Sequence, residues 1–269
     1  MIYIVVSLSF GRICRHWIGW CLSQYQYLLV GGLQTNRESI LLIVSERVGD
    51  MNIFVVLPTT ARRLDLLNRV IESYYIRNPN HDFKFVVIKN GTFSDNVYEE
   101  YEFSNSNVIK TKSYPGGNIS RAVNVGLDFL NEEDYTIIGE DDFIINQENW
   151  IDFLMEIYNS VENPGCIGTR VHGTQRRNII QNKKEKIPYL NYINDKLYEV
   201  FWSDGVLFMD SKYANKYRCD EQFVGDIDYA DFCIQMIYDG YKHYCCELSD
   251  MEHHTIPFSD KFIYTENEV

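Results

Sequence analysis

The 269-residue chain is 45% hydrophobic and 14% aromatic, enough apolar material for a buried core, which excludes a disordered chain. A formal net charge of −13 argues against broad binding to DNA or RNA, which relies on Lys and Arg meeting phosphates. The length suits one large α/β domain or two small ones.

Residues 1–50 mix apolar runs with Arg12, Arg15 and His16. Neither run reaches the ~18 apolar residues of a membrane-spanning helix, and no basic stretch precedes the first, as a secretion signal requires. Peripheral membrane association is the remaining membrane reading. At Met51 the text changes to MNIFVVLPTTARR, the opening of an α/β domain, so the expectation is an N-terminal extension over 1–50 and a functional domain over 51–269.

Asn52 to Leu57 reads as a buried strand closed by Pro58. Leu64, Leu67, Ile71 and Tyr75 recur at helical spacing up to Asn78-Pro79. Phe83 to Ile88 is a second strand, followed by the turn-rich KNGTFSDN, and Val108 to Lys110 is a short third. Ile119 to Leu130 is helical, Tyr135 to Ile138 a strand, and Trp150 to Val161 a helix. This alternation predicts a mostly parallel sheet with helices on both faces, and ligands at the carboxyl ends of its strands. The loops at Pro58, Lys89, Gly116 and Glu140 should therefore converge on one cleft.

Residues 172–199 read as a polar loop carrying Arg176, Arg177, Lys183, Lys184 and Lys186. Phe201 to Met209 follows as one strand or two, and Asp231 to Tyr238 as a helix ended by Gly240. Seven cysteines, with no C-x-x-C pair and with Cys245 and Cys246 adjacent, show no zinc spacing; they point to a reducing, cytosolic compartment.

Three segments carry chemistry. Glu140, Asp141 and Asp142 interrupt an apolar run at a strand end, where carboxylates can grip Mg2+ or Mn2+ and leave positions open for phosphate oxygens; a solvated acidic turn is the alternative. Their charge should be compensated by a divalent cation and solvent rather than by an internal Arg or Lys. Asp226, Asp228 and Asp231 crowd a helix start, as N-terminal capping or as a general base. His253 or His254 could add a third metal ligand.

Taken together, residues 52–256 resemble family 2-type glycosyltransferases of the GT-A fold. The matching segments are Pro58-Thr59-Thr60-Ala61-Arg62, the turn Lys89-Asn90-Gly91-Thr92-Phe93-Ser94-Asp95, and Gly116-Gly117-Asn118-Ile119-Ser120-Arg121-Ala122-Val123-Asn124-Val125-Gly126. They continue with Glu140-Asp141-Asp142, Asp220-Glu221-Gln222-Phe223, the helix start Asp228-Tyr229-Ala230-Asp231-Phe232-Cys233, and the late histidines. Where that family has a uracil-binding aspartate after its second strand, this chain has Lys89.

The resemblance implies an α/β GT-A fold with a Rossmann-like mixed central sheet in a single catalytic domain. It implies a Mn2+- or Mg2+-dependent transfer, with inversion, from a nucleotide-diphosphate sugar to a glycan, lipid-linked or protein acceptor. By this resemblance Asp142 would be the central metal ligand, with Glu140 and His254 or His253. Pro58, Thr59, Thr60, Arg62, Asn90, Asp95, Asn118, Arg121, Asn124, Glu140 and Asp141 are expected to face the donor. Trp202, Asp204, Asp220, Glu221 and the basic loop are the candidates for the acceptor side, and Asp228, Asp231 or Asp226 for the base. A nucleotidyltransferase, or a non-catalytic protein that binds sugar or nucleotide, is the competing reading.

Overall fold

Ile53 to Leu57 are fully buried although successive strand residues point to opposite faces, so this strand must be covered on both sides. The computed structural model describes residues 51–91, 95–111, 118–170, 190–194, 197–222, 228–246, 248 and 250–254. Within helices and strands, the side chains of Asp95, Asn96, Arg170, residues 190–194, Asp204, Asp228 and Tyr229 are not described. The segment 1–50 and most of the basic 172–199 stretch lie outside the described residues.

The strands are β1 (Asn52–Thr59), β2 (Asp82–Lys89), β3 (Val108–Lys110), β4 (Tyr135–Ile138), β5 (Phe143–Ile145), β6 (Pro164–Arg170), β7 (Leu190–Asn194), β8 (Leu197–Val200), β9 (Asp204–Asp210), β10 (Lys242–Cys246) and β11 (Met251–His253). The helices are α1 (Leu64–Arg77), α2 (Asp95–Glu100), α3 (Ile119–Leu127), α4 (Trp150–Ser160), α5 (Ser211–Lys216) and α6 (Asp228–Tyr238). Nine strands form one sheet in the order β3-β2-β1-β4-β9-β6-β10-β8-β7, and β11 pairs with β5 in a separate ribbon. The β1–β2, β1–β4, β2–β3 and β6–β10 pairs are parallel. The β4–β9, β6–β9, β8–β10 and β7–β8 pairs are antiparallel. The sheet is therefore mixed, with its parallel character concentrated in the first half.

Helices lie on two faces. On one, Tyr74 of α1 meets Phe83, Phe85 and Trp150 edge-on at ring distances of 5.7, 5.4 and 5.0 Å. On the other, α3 comes so close that a Cβ at Gly126 would lie 2.4 Å from Val56 Cγ1 and 2.8 Å from Ile88 Cδ1. Gly126→Ala is therefore expected to lower stability by about 1–2 kcal/mol, overpacking outweighing the helix propensity gained, read as a reduced Tm.

Several expectations need correction. Leu190–Asn194 and Leu197–Val200 form the antiparallel β7–β8 pair at the sheet edge rather than loop. β6 and α5 are additional elements, and α6 starts at Asp228 instead of Asp231. In α1 it is Tyr74 that is fully buried; Tyr75 is half-buried, its hydroxyl donating to the Phe83 carbonyl at 2.9 Å. Among the described residues no helix is long and apolar enough to cross a membrane.

Candidate active site

The strand order reverses at β1, whose two parallel neighbours β2 and β4 lead away in opposite directions; the crevice at the carboxyl ends of β1 and β4 is the ligand position such sheets provide. β1 delivers Thr59 there and β4 delivers Glu140, Asp141 and Asp142. Because β9 runs antiparallel to β4, its first residues lie beside the same end, and the Gly205 N–H donates to Glu140 Oε1 at 3.1 Å. Gly205 has φ 78°, a left-handed turn that glycine adopts without steric cost.

The β5–β11 ribbon brings the histidines back to the triplet. Phe143 pairs with His253, their rings stack at 4.3 Å, and the His254 N–H donates to the Asp142 carbonyl at 2.9 Å. Neighbouring strand residues point oppositely, so this register separates two adjacent imidazoles. His253 Nε2 lies 3.5 Å from Asp142 Oδ2, whereas His254 Nε2 lies 2.9 Å from Glu252 Oε2. Glu140, Asp142 and His253 each offer a ligand atom within 4.8 Å of the others. Two carboxylates and one imidazole suit a divalent cation such as Mn2+ or Mg2+. Of the two candidate histidines, the ring of His253 joins this group.

Asp141 turns away from its neighbours. Its carboxylate accepts a hydrogen bond from Thr59 Oγ1 at 2.5 Å, and Thr59 Oγ1 in turn accepts the Ala61 N–H at 3.0 Å. Burial of the carboxyl pushes the Asp141 pKa up to about 6; the Thr59 hydrogen bond opposes the shift, the charge of Asp142 adds to it, and Arg63 reduces it.

The triplet's charge also has a protein partner, contrary to expectation. Arg63 Nη2 lies 3.3 Å from Asp142 Oδ2, and Arg63 Nη1 donates to the His254 carbonyl. Arg62, expected near the donor, is exposed, and Arg63 faces the triplet. Ala61, at φ 57°, is a left-handed non-glycine residue in the β1–α1 turn, and such strained positions cluster at functional sites. Thr60 is exposed, Pro58 is half-buried, and the Asn90 N–H donates to the Thr59 carbonyl at 2.8 Å, tying the ends of β2 and β1 together. Lys89 is buried at the end of β2; desolvation lowers its pKa, and the charge of Glu99 opposes that.

The 218–222 segment is bound to α3 and α6. Asn118 caps α3 by accepting the Arg121 N–H at 3.0 Å, and its amide donates to the Glu221 carbonyl at 2.7 Å. Asn124 donates to the Cys219 carbonyl at 2.9 Å and to Glu221 Oε1 at 3.1 Å. Asp231 Oδ2 accepts the Asp220 N–H at 2.8 Å and Gln235 Nε2 at 2.9 Å, while Asp220 Oδ1 accepts the Gln222 N–H at 2.9 Å. Arg121 is exposed on the first turn of α3. Trp202 is half-buried against the core, with its ring edge-on to Phe201 at 5.6 Å. Asp226 and the side chains of Asp95, Asp204 and Asp228 lie outside the described part.

This arrangement can be set beside known structures. Glucosyl-3-phosphoglycerate synthase from Mycobacterium tuberculosis, in complex with Mn2+, UDP and phosphoglyceric acid, matches with a TM-score of 0.52 and 13% identity, over 78% of this chain and 72% of that one. The fold is the GT-A fold. A second structure, of a mycobacterial protein, matches with a TM-score of 0.53 and 14% identity, over 78% of this chain and 69% of that one. No protein-family model matches the chain, and no curated protein matches it by sequence. At these identities the likeness concerns the fold; the chemistry must come from the residues themselves.

Proposed function

We propose that this protein is a metal-dependent glycosyltransferase that moves a sugar from a nucleotide-diphosphate sugar to an acceptor hydroxyl with inversion. The observation that carries the reading is the Glu140, Asp142 and His253 group at the carboxyl end of β4, where a GT-A sheet opens its crevice. A fold neighbour holds Mn2+ and UDP, which is consistent with this reading.

In this proposal Glu140, Asp142 and His253 would hold Mn2+ or Mg2+. When bound there, the cation would counter the negative charge that develops on a leaving diphosphate. Thr59 and Asp141 hold the β1 and β4 loops together, so the donor meets a preorganised wall. The acceptor oxygen attacks the anomeric carbon as its bond to the diphosphate oxygen breaks, and an aspartate of the α6 start, Asp228 in this reading, takes the hydroxyl proton. Trp202 and the first residues of β9 form the acceptor side. Lys89, standing where the resembling family has an acidic residue, points to a donor base contact other than a carboxylate to uracil.

A panel of sugar nucleotides, scored for hydrolysis with Mn2+, with Mg2+ and with a chelator, tests the reading. Release of a nucleoside diphosphate supports it; release of pyrophosphate would assign a nucleotidyltransferase instead.

Arg63 provides a separate test. It competes for the oxygen of Asp142 nearest His253, and it also holds the His254 carbonyl. Arg63→Gln is expected to tighten Mn2+ binding by about threefold to tenfold by removing one competing cation from a half-exposed pair. It should lower sugar transfer at saturating Mn2+ because the His254 carbonyl, just past β11, loses the contact that fixes it beside the site. Calorimetric Mn2+ titration read beside turnover checks both halves; weakened Mn2+ binding would show that Arg63 supports the site rather than competing for it.

A further inference from the structure

Away from the cleft, three soft donors converge in the interior: Cys166 on β6, Cys233 on α6 and His243 on β10. All three are buried, and each offers a ligand atom within 4.8 Å of the others. Cys166 Sγ lies 3.7 Å from Cys233 Sγ and 3.0 Å from His243 Nδ1. We propose that these residues form a buried zinc site, distinct from the carboxylate group of the cleft.

The backbone is shaped to bring them together. Between Lys242 and Tyr244 of β10, two steps face three steps of β6 from Pro164 to Ile167, so β6 bulges opposite His243. A bulge breaks strict alternation and re-aims side chains, which brings Cys166 and His243 into contact. Gly165 leaves room for the ring: a Cβ there would stand 2.7 Å from His243 Cε1. Helix α6 packs on β6 and β10 and supplies the second sulfur.

The chemistry of the donors agrees. His243 Nε2 lies 2.9 Å from the Cys233 carbonyl, which can only accept, so Nε2 carries the proton and the Nδ1 lone pair faces Cys166. A ligating histidine that donates its other N–H to a backbone carbonyl is the usual outer-shell arrangement at zinc. Zn–S bonds near 2.3 Å put two thiolates of a tetrahedron about 3.8 Å apart, close to the observed separation. The S–N edge would be about 3.6 Å, so the ring must withdraw by about half an ångström and release its 3.2 Å hydrogen bond from the Cys166 N–H.

Loading releases two protons from the thiols to solvent. Two thiolates and a neutral imidazole then cancel the charge of Zn2+, which a buried centre requires, and a neutral water would fill the fourth tetrahedral position. Because no donor reaches the surface, the ion enters as the chain folds.

The full chain, purified with reductant and without chelator, should carry about one zinc per molecule through dialysis against EDTA. Refolding with Co2+ in place of zinc should give a thiolate-to-cobalt charge-transfer band. That band should fall to about a tenth or less in Cys166→Ser and Cys233→Ser and persist in Cys14→Ser, Cys21→Ser, Cys219→Ser and Asp142→Ala. A wild-type protein with no zinc and no cobalt band overturns the site, even if the serine variants fail to fold. A band that survives both serine changes assigns the metal elsewhere and overturns it equally. Metal content and cobalt spectra are read without substrate, so they stand apart from the sugar-transfer reading.

Discussion

Asp142→Ala is expected to reduce metal-dependent donor hydrolysis and sugar transfer by about a hundredfold to a thousandfold, the scale seen when a group stabilising developing charge is removed. The side chain of Asp142 is where Arg63 and His253 meet, at 3.3 and 3.5 Å from the same oxygen. Glu140 turns one oxygen to the Gly205 N–H and Asp141 is held by Thr59, so neither can replace it without moving its loop. The fold should survive, because the bond from the His254 N–H goes to the backbone carbonyl of residue 142, which alanine retains. Three measurements belong together: turnover, Mn2+-induced thermal shift, and Tm without metal. Lost turnover and lost Mn2+ shift at a little-changed metal-free Tm is the expected pattern. Full activity in the variant would reject Asp142 as the central ligand.

The fold was legible where burial on both faces left uninterrupted apolar runs. IFVVL in β1 and FVVI in β2 have no helical period to confuse them, and the structure places both in the middle of the parallel half. β6 is hidden in the sequence because PGCIGTR carries two glycines and polar residues, and its bulge spoils alternation. The β7–β8 pair resembles loop because it lies at the sheet edge, where polar residues are tolerated. Within the site, the acidic triplet could be found from its apolar frame, but its neighbours could not be ranked. Arg62 and Arg63 are chemically identical, and the left-handed turn at Ala61 stands just before them. His253 and His254 differ only in strand parity, fixed by pairing with Phe143, more than a hundred residues earlier. The cysteine–histidine cluster left no local signal, because Cys166 and His243 come from distant strands and meet only through the β6–β10 pairing.

In the proposed reaction the α6 start supplies the base. Three aspartates at 226, 228 and 231 could not be separated in the sequence, since any acidic residue is favoured near a helix N-terminus. Asp231 now has identifiable work: one of its oxygens receives the Asp220 N–H and Gln235 Nε2, and Gln235 also reaches the Arg218 carbonyl at 2.6 Å. With Asn124 and Asn118, it fastens the 218–222 segment between two helices. Asp231→Asn should therefore cost about 1–2 kcal/mol of stability and reduce transfer only as far as the segment loosens. Asp228, the first residue of α6, is the base in the proposed reaction, and Asp228→Asn should leave donor and Mn2+ binding within about twofold while transfer falls by about a hundredfold to ten-thousandfold. Steady-state transfer, donor titration and Tm measured on both variants separate bracing from proton removal. If Asp231→Asn instead loses transfer with unchanged Tm and donor affinity, the base belongs one helical turn further on, and the acceptor must approach from the Asp220 side of the cleft.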